Sequence, residues 1–186
     1  MGNTLIYAGI GSRETPDFFC SIMKSIARQL APRWVLRSGF ADGADMAFCR
    51  GADEAQGEME IYVPWAGFNG APTDDDRIIV PEWTNEIFTL AAKHHPAWHR
   101  CSSGARKLHA RNGCQVLGRS LLEPAHMVIC WTPEGKGNGG TGQAIRIANE
   151  YEIPVFDLAI PGMDRKLCEF VERMERLEAG EWEMAA

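Results

Sequence analysis

Several features are missing from this 186-residue sequence, and each absence narrows the field. No apolar run approaches the roughly 20 residues that a bilayer-spanning helix needs, so no membrane association is expected. The six cysteines include no Cys-x-x-Cys pair. That removes the zinc-ribbon and thioredoxin-type signals, and reduced, mostly buried thiols are expected instead. No basic region, apolar segment and cleavage site stand in series at the start, and the expected compartment is the cytoplasm. Repeats and low-complexity tracts are absent. A surplus of positive charge is also missing: the formal net charge is −6. Nonspecific binding to nucleic acid is built on many phosphate contacts, so nucleic acid is not expected as a partner.

Acidic residues are themselves missing from one stretch. From Lys93 to Leu122 the chain carries Lys93, Arg100, Arg106, Lys107, Arg111 and Arg119 with no Asp or Glu, whereas Glu169, Glu172, Glu175, Glu178, Glu181 and Glu183 make the last stretch acidic. A local basic segment in an acidic protein points to a small anionic ligand. His94, His95, His99, Cys101, His109 and Cys114 fall close together, but their spacing matches no familiar zinc pattern. No metal and no cofactor is expected.

What the chain does contain is a series of strand–turn–helix units. Thr4 to Ile10 reads as a strand running into Gly11-Ser12-Arg13, followed by Thr15 as N-cap, Pro16 at the first helical position, and a helix buried through Phe19, Ile22, Met23, Ile26 and Leu30. Trp34-Val35-Leu36 reads as a second strand ending at Ser38-Gly39. Asp42-Gly43-Ala44-Asp45 then opens a helix through Ala47, Phe48 and Ala52. Asp42 reads either as a helix N-cap or as a carboxylate for a ribose; Asp45 suits the first helical turn. Glu60 to Val63 is a third strand. Residues 65–100 break the rhythm with a loop-rich insertion, a run Asp74-Asp75-Asp76 and a short helix from Trp83 to Lys93. One long helix is expected from Ser103 to Leu122, with Ala105, Leu108, Asn112, Val116 and Arg119 along one stripe and His109 on its edge. His126 to Trp131 is a buried strand, Ile153 to Asp157 an edge strand, and Leu167 to Leu177 a final helix.

Between the last two strands lies Gly139-Gly140-Thr141-Gly142-Gln143, a glycine-dense turn at a helix start. Turns of this kind let an anion approach backbone N–H groups closely. The expected fold is α/β, a Rossmann-like three-layer sandwich with a mainly parallel sheet of about five strands, as one domain over residues 1–186. Ligands of such sheets bind beyond the carboxyl ends of the strands. The turns therefore nominate Gly9, Gly11, Ser12, Arg13, Ser38, Gly39, Asp42, Gly43, Asp45, Gly139, Gly140, Thr141, Gly142 and Gln143. His109, Arg111 and Asn112 join them from the basic helix, and Trp131 stands as a base-stacking or core residue.

Gly9-Ile10-Gly11-Ser12-Arg13, Ser38-Gly39-Phe40-Ala41-Asp42-Gly43-Ala44-Asp45 and Gly139-Gly140-Thr141-Gly142-Gln143-Ala144 together resemble the SLOG superfamily, which takes in the DprA/Smf Rossmann domain and the Lonely Guy (LOG) phosphoribohydrolases. His109-Ala110-Arg111-Asn112 and Ile129 to Pro133 look like small stand-alone relatives from bacteria and phages. The resemblance implies a nucleotide pocket at the strand ends and at least a dimer. Some members of the superfamily hydrolyse the N-glycosidic bond of nucleoside monophosphates, some sense or sequester nucleotide signals, and DprA binds single-stranded DNA. Gln143 stands where LOG enzymes have Thr, and Arg146 where they have the motif Glu. The leading expectation is thus a binder of a phosphate-bearing nucleotide or ADP-ribose-like ligand. A LOG-like N-glycosidase using Asp42, Asp45 or Glu123 is the alternative, DprA-like binding of single-stranded DNA is a third reading, and catalysis is left open.

Overall fold

The computed structural model describes residues 4–180, so Glu181 and Glu183 of the acidic stretch lie outside the described residues. Six strands form one sheet: β1 (Leu5–Gly9), β2 (Trp34–Ser38), β3 (Met59–Tyr62), β4 (Ile78–Ile79), β5 (Met127–Cys130) and β6 (Val155–Asp157). Every pairing is parallel and the spatial order is β4-β3-β2-β1-β5-β6. The strand beyond the expected five is β4, a two-residue segment that pairs with Ile61 and Tyr62.

Among the described residues six α-helices cover the sheet: α1 (Asp17–Leu30), α2 (Ala44–Glu54), α3 (Asn85–His94), α4 (Ser103–Leu117), α5 (Gly139–Glu150) and α6 (Met163–Glu178). Side chains alternate across a strand, and the core divides accordingly. Tyr7, Leu36, Met127 and Ile129 pack with Met23 and Ala27 of α1, Phe48 of α2 and Leu167 of α6. Ala8, Val128 and Cys130 point the other way, towards Leu90 of α3, Val116 and Leu117 of α4, and Ile147 and Ala148 of α5. Burial on both faces is why these strands read as continuous apolar runs. Among the described residues no helix is long and apolar enough to cross a membrane.

Several boundaries move. Pro16, rather than Thr15, sits at the N-cap of α1, and the Thr15 hydroxyl donates to the Ser12 carbonyl instead. Helix α4 stops at Leu117 because Gly118 turns to φ 76°, which leaves Arg119 outside the helix and exposed. Within the Asp74-Asp75-Asp76 run, Asp75 pairs with Arg77 at 2.8 Å, and Asp53 of α2 holds the same guanidinium at 2.8 Å.

Helices α1 and α2 approach backbone to backbone at Gly51. A Cβ there would lie 2.1 Å from the Lys24 carbonyl oxygen, a backbone atom that cannot step aside. Gly51→Ala should therefore cost about 2 kcal/mol through overpacking, despite the better helix propensity of Ala. A lowered midpoint in urea unfolding at unchanged slope is the expected readout.

Candidate functional site

The strand order reverses between β1 and β5: the chain winds outward through β2, β3 and β4, then returns by way of α3 and α4 to lie beside β1. Open α/β sheets bind ligands in the crevice at such a switch point. A cavity of about 510 Å³ lies there, lined by the β1–α1 turn (Ile10 to Glu14), the start of α5 (Asn138 to Thr141) and side chains of α4. A larger depression of about 1110 Å³ surrounds the amino ends of β1, β3 and β5. It lies at the wrong end of the sheet for such a ligand, and its central Arg37 is already paired with Glu60 at 2.6 Å. Glu123 belongs to that opposite end, beside Arg37, so the expectation that it stood near the carboxyl edge is corrected.

The two turns are built differently. In the β1–α1 turn, Ser12 is a bracket: its hydroxyl accepts the Glu14 N–H, and its carbonyl accepts the N–H groups of Thr15 and Ala44. Arg13 is left exposed on the cavity wall. At α5, Asn138 occupies the N-cap without a side-chain cap bond, and the first intrahelical donor is Gly142 N–H, to the Asn138 carbonyl. The opening N–H groups of Gly139, Gly140 and Thr141 precede the helical bonding pattern, and these residues line the cavity. The loop that delivers them is fixed by a buried pair: Asp157 accepts both the N–H and the hydroxyl of Thr132, and the Thr132 hydroxyl accepts Gly137 N–H.

Helix α4 supplies the floor. Arg111 is buried, donates to the carbonyls of Gly39 and Tyr62, and lies 3.5 Å from the Asp45 carboxylate. Asp45 also accepts the N–H groups of Ala41 and Gly11. Burial pushes the Asp45 carboxyl up from its ordinary value, against the opposing pull of the Arg111 charge. Burial likewise pushes the Arg111 guanidinium down, with the Arg13 charge acting in the same direction. Two buried donors on cavity-lining residues, Arg111 Nε and Gln115 Nε2, have no hydrogen-bond partner among the described residues. Buried polar groups are nearly always paired; the Tyr7 hydroxyl in the core is unpartnered too.

Of the nominated residues, Gly11, Ser12, Arg13, Asp45, His109, Arg111, Asn112, Gly139, Gly140 and Thr141 come together around the cavity. The others serve the scaffold around it. A Cβ on Gly9 would meet the Phe48 ring, one on Gly39 would meet Arg111, and one on Gly142 would meet the Gly137 carbonyl. Gly43, at φ 77°, lets the β2–α2 turn rest on the backbone of Ser12 and Arg13. The Ser38 hydroxyl donates to the Gly9 carbonyl. Asp42 is neither N-cap nor cavity residue, since Gly43 holds the cap position and the Asp42 carboxylate accepts from Asn69. Trp131 packs on Phe19 with centroids 5.9 Å apart.

Gln143 is buried and knits three elements. Its amide nitrogen donates to the Ala91 carbonyl of α3 at 2.8 Å, while its oxygen takes Asn112 Nδ2 at 3.0 Å and His109 Nδ1 at 3.1 Å. Asn112 also donates to the Gly140 carbonyl. Burial, followed by the neighbouring His95, pushes the His109 imidazole below its ordinary value, which favours the neutral ring. Arg146 turns away from the cavity and donates twice to the His94 carbonyl, capping α3. Sequence reasoning missed Gln115 and Asn138; Gln115 was findable, because it lies one helical turn beyond Arg111 on the same face. For a metal, the described residues offer one cluster of mixed donors, His95, Cys101 and His109.

This is a doubly wound, all-parallel α/β fold with a crevice at its switch point. No protein-family model matches the chain, and no curated protein matches it either. Among solved structures it is similar to DNA processing protein A from Helicobacter pylori, studied for its single-stranded DNA binding mode. The similarity has a TM-score of 0.52 at 18% identity and covers 97% of this chain and 74% of that one. The likeness establishes the fold. It also corrects the expectation that nucleic acid is no partner: a chain built on this fold binds single-stranded DNA, so a net charge of −6 does not decide the matter. Arg13 and Arg111 both line the crevice.

Proposed function

We propose that the crevice between β1 and β5 binds a phosphate-bearing nucleotide or ADP-ribose-like ligand, and that the protein senses or sequesters it. The observation that carries this reading is the cavity at the switch point, walled by the opening turn of α5 and the exposed Arg13, with Arg111 and Gln115 of α4 in its lining. Helix N-termini favour anions through their free N–H groups and dipole, and the exposed Arg13 adds a charge-assisted donor. The cavity volume, about 510 Å³, falls in the usual range for small-molecule sites.

A calorimetric screen of nucleoside monophosphates, diphosphates and ADP-ribose tests the proposal. At least one ligand should bind and return intact after denaturation, as judged by chromatography. Hydrolysis is not favoured, because Asp45 is held by Arg111 and two backbone N–H groups, and Arg146 faces α3. Release of free base would sink the sequestering reading and promote the N-glycosidase. A second reading, single-stranded DNA binding, is supported by the likeness to the Helicobacter pylori protein. Submicromolar, salt-sensitive binding of a labelled oligonucleotide in fluorescence anisotropy, with no response to free nucleotides, would put that reading first.

A further inference from the structure

We propose that His95, Cys101 and His109 form a zinc site beside the crevice, with three protein ligands and a fourth position for water or an anion. One potential ligand atom from each residue lies within 4.8 Å of the others. The donors come from three places: the residue after α3, the loop that follows it, and the middle of α4. That is why no spacing pattern revealed them. Two imidazoles and a thiolate suit Zn²⁺, and three protein ligands are the usual complement of a site that keeps one position open.

The Cys101–His95 edge is close to what the ion requires. Cys101 Sγ lies 3.8 Å from His95 Nδ1 and 3.9 Å from its Nε2. With Zn–S of about 2.3 Å and Zn–N of about 2.0 Å, a tetrahedral ion spans an S···N edge of about 3.5 Å. The two rings are already neighbours, with centroids 4.2 Å apart. Of the His95 nitrogens, Nδ1 accepts the Ala97 N–H at 3.2 Å, so coordination there replaces one local hydrogen bond.

The state of His109 follows from its neighbours. The Gln143 amide donates through Nε2 to the Ala91 carbonyl, which fixes Oε1 as the acceptor facing His109. His109 Nδ1 therefore carries the proton, and Nε2 keeps its lone pair. A ring nitrogen that donates to a carbonyl while the other nitrogen binds is the usual outer-shell arrangement of a metal-ligating histidine. Gln143 also holds Asn112, which reaches the Gly140 carbonyl, so the same network steadies the glycine turn. The zinc proposal stands on its own residues and does not depend on what fills the crevice.

Metal-stripped protein titrated with Co²⁺ should take up one equivalent, with intense visible bands of a tetrahedral ion and a thiolate charge-transfer band in the near ultraviolet. Zn²⁺ should displace it. Cys101→Ser should abolish the charge-transfer band, and both Cys101→Ser and His109→Ala should weaken Zn²⁺ binding at least tenfold. His99→Ala, an exposed neighbour outside the cluster, should change neither. A readout that needs no variant is alkylation of the wild-type protein: Zn²⁺ should slow modification of Cys101 while leaving the exposed Cys168 unaffected. No saturable binding, no protection of Cys101, or binding that survives both substitutions overturns the proposal.

Discussion

Gly140→Asp should abolish binding of a nucleotide phosphate in the crevice while leaving the fold intact. The two effects separate because of where Gly140 sits. A Cβ built there meets only Asn112 Nδ2, at an ordinary 3.9 Å, so the side chain has room. The position lies in the first turn of α5, where a carboxylate interacts favourably with the helix dipole. Thermal stability should hold or rise slightly. For a bound phosphate the same carboxylate is a like charge in place of an open approach to backbone N–H groups. Two unit charges about 4 Å apart at an effective dielectric near 20 repel by about 4 kcal/mol. At about 1.4 kcal/mol per decade, affinity should drop at least about a hundredfold. Gly142→Ala makes the contrast: its Cβ would lie 1.6 Å from the Gly137 carbonyl oxygen, so that variant should lose stability as well as binding. Unchanged affinity in a folded Gly140→Asp protein would place the ligand elsewhere.

Much of the fold is legible in the sequence because its signals are local. The longer strands are short apolar runs, β1 and β2 end at glycine turns, and α1, α5 and α6 carry clear apolar faces. Strand β4 is not legible, since two isoleucines in a polar loop carry no period; their pairing is imposed by β3. The glycine motifs point to the carboxyl edge of the sheet, where the switch-point crevice lies, but they do not separate cavity glycines from packing glycines. Gly39 and Gly142 look like ligand positions, yet the atoms a side chain would strike there belong to Arg111, Gln115 and Gly137. Partnerships across the chain are likewise invisible to spacing. Asp45 with Arg111, Thr132 with Asp157, and Gln143 with Ala91 each join distant segments, and each fixes a side chain that a motif leaves undetermined. Arg146 illustrates the same limit, since an alignment of glycines assigns it a motif position and the third dimension assigns it the end of α3.

The Asp45–Arg111 pair should give the largest stability effect of any site side chain. Both groups are buried, at 3% and 7% exposure, so neither can turn to water when its partner is removed. Arg111→Met deletes the donors to the Gly39 and Tyr62 carbonyls and leaves Asp45 facing an apolar side chain. Asp45→Asn keeps an oxygen for the Ala41 N–H but strands the guanidinium charge. Breaking a buried pair from one side typically costs about 3–5 kcal/mol, which for a chain of this length lowers the melting temperature by roughly 6–20 °C. The double variant should be less destabilised than the sum of the singles, because removing both charges leaves none buried alone. The pH dependence has a defined sign. Burial raises the Asp45 carboxyl above its unfolded value of 3.8, so between that value and the raised one the folded state binds more protons. The stability from this group is fully present below 3.8 and is lost as pH rises through the folded value. Asp45→Asn should flatten that segment of the stability–pH curve. Strictly additive singles with an unchanged pH profile would mean that Asp45 and Arg111 act independently and that the floor of the crevice is held by its backbone contacts alone.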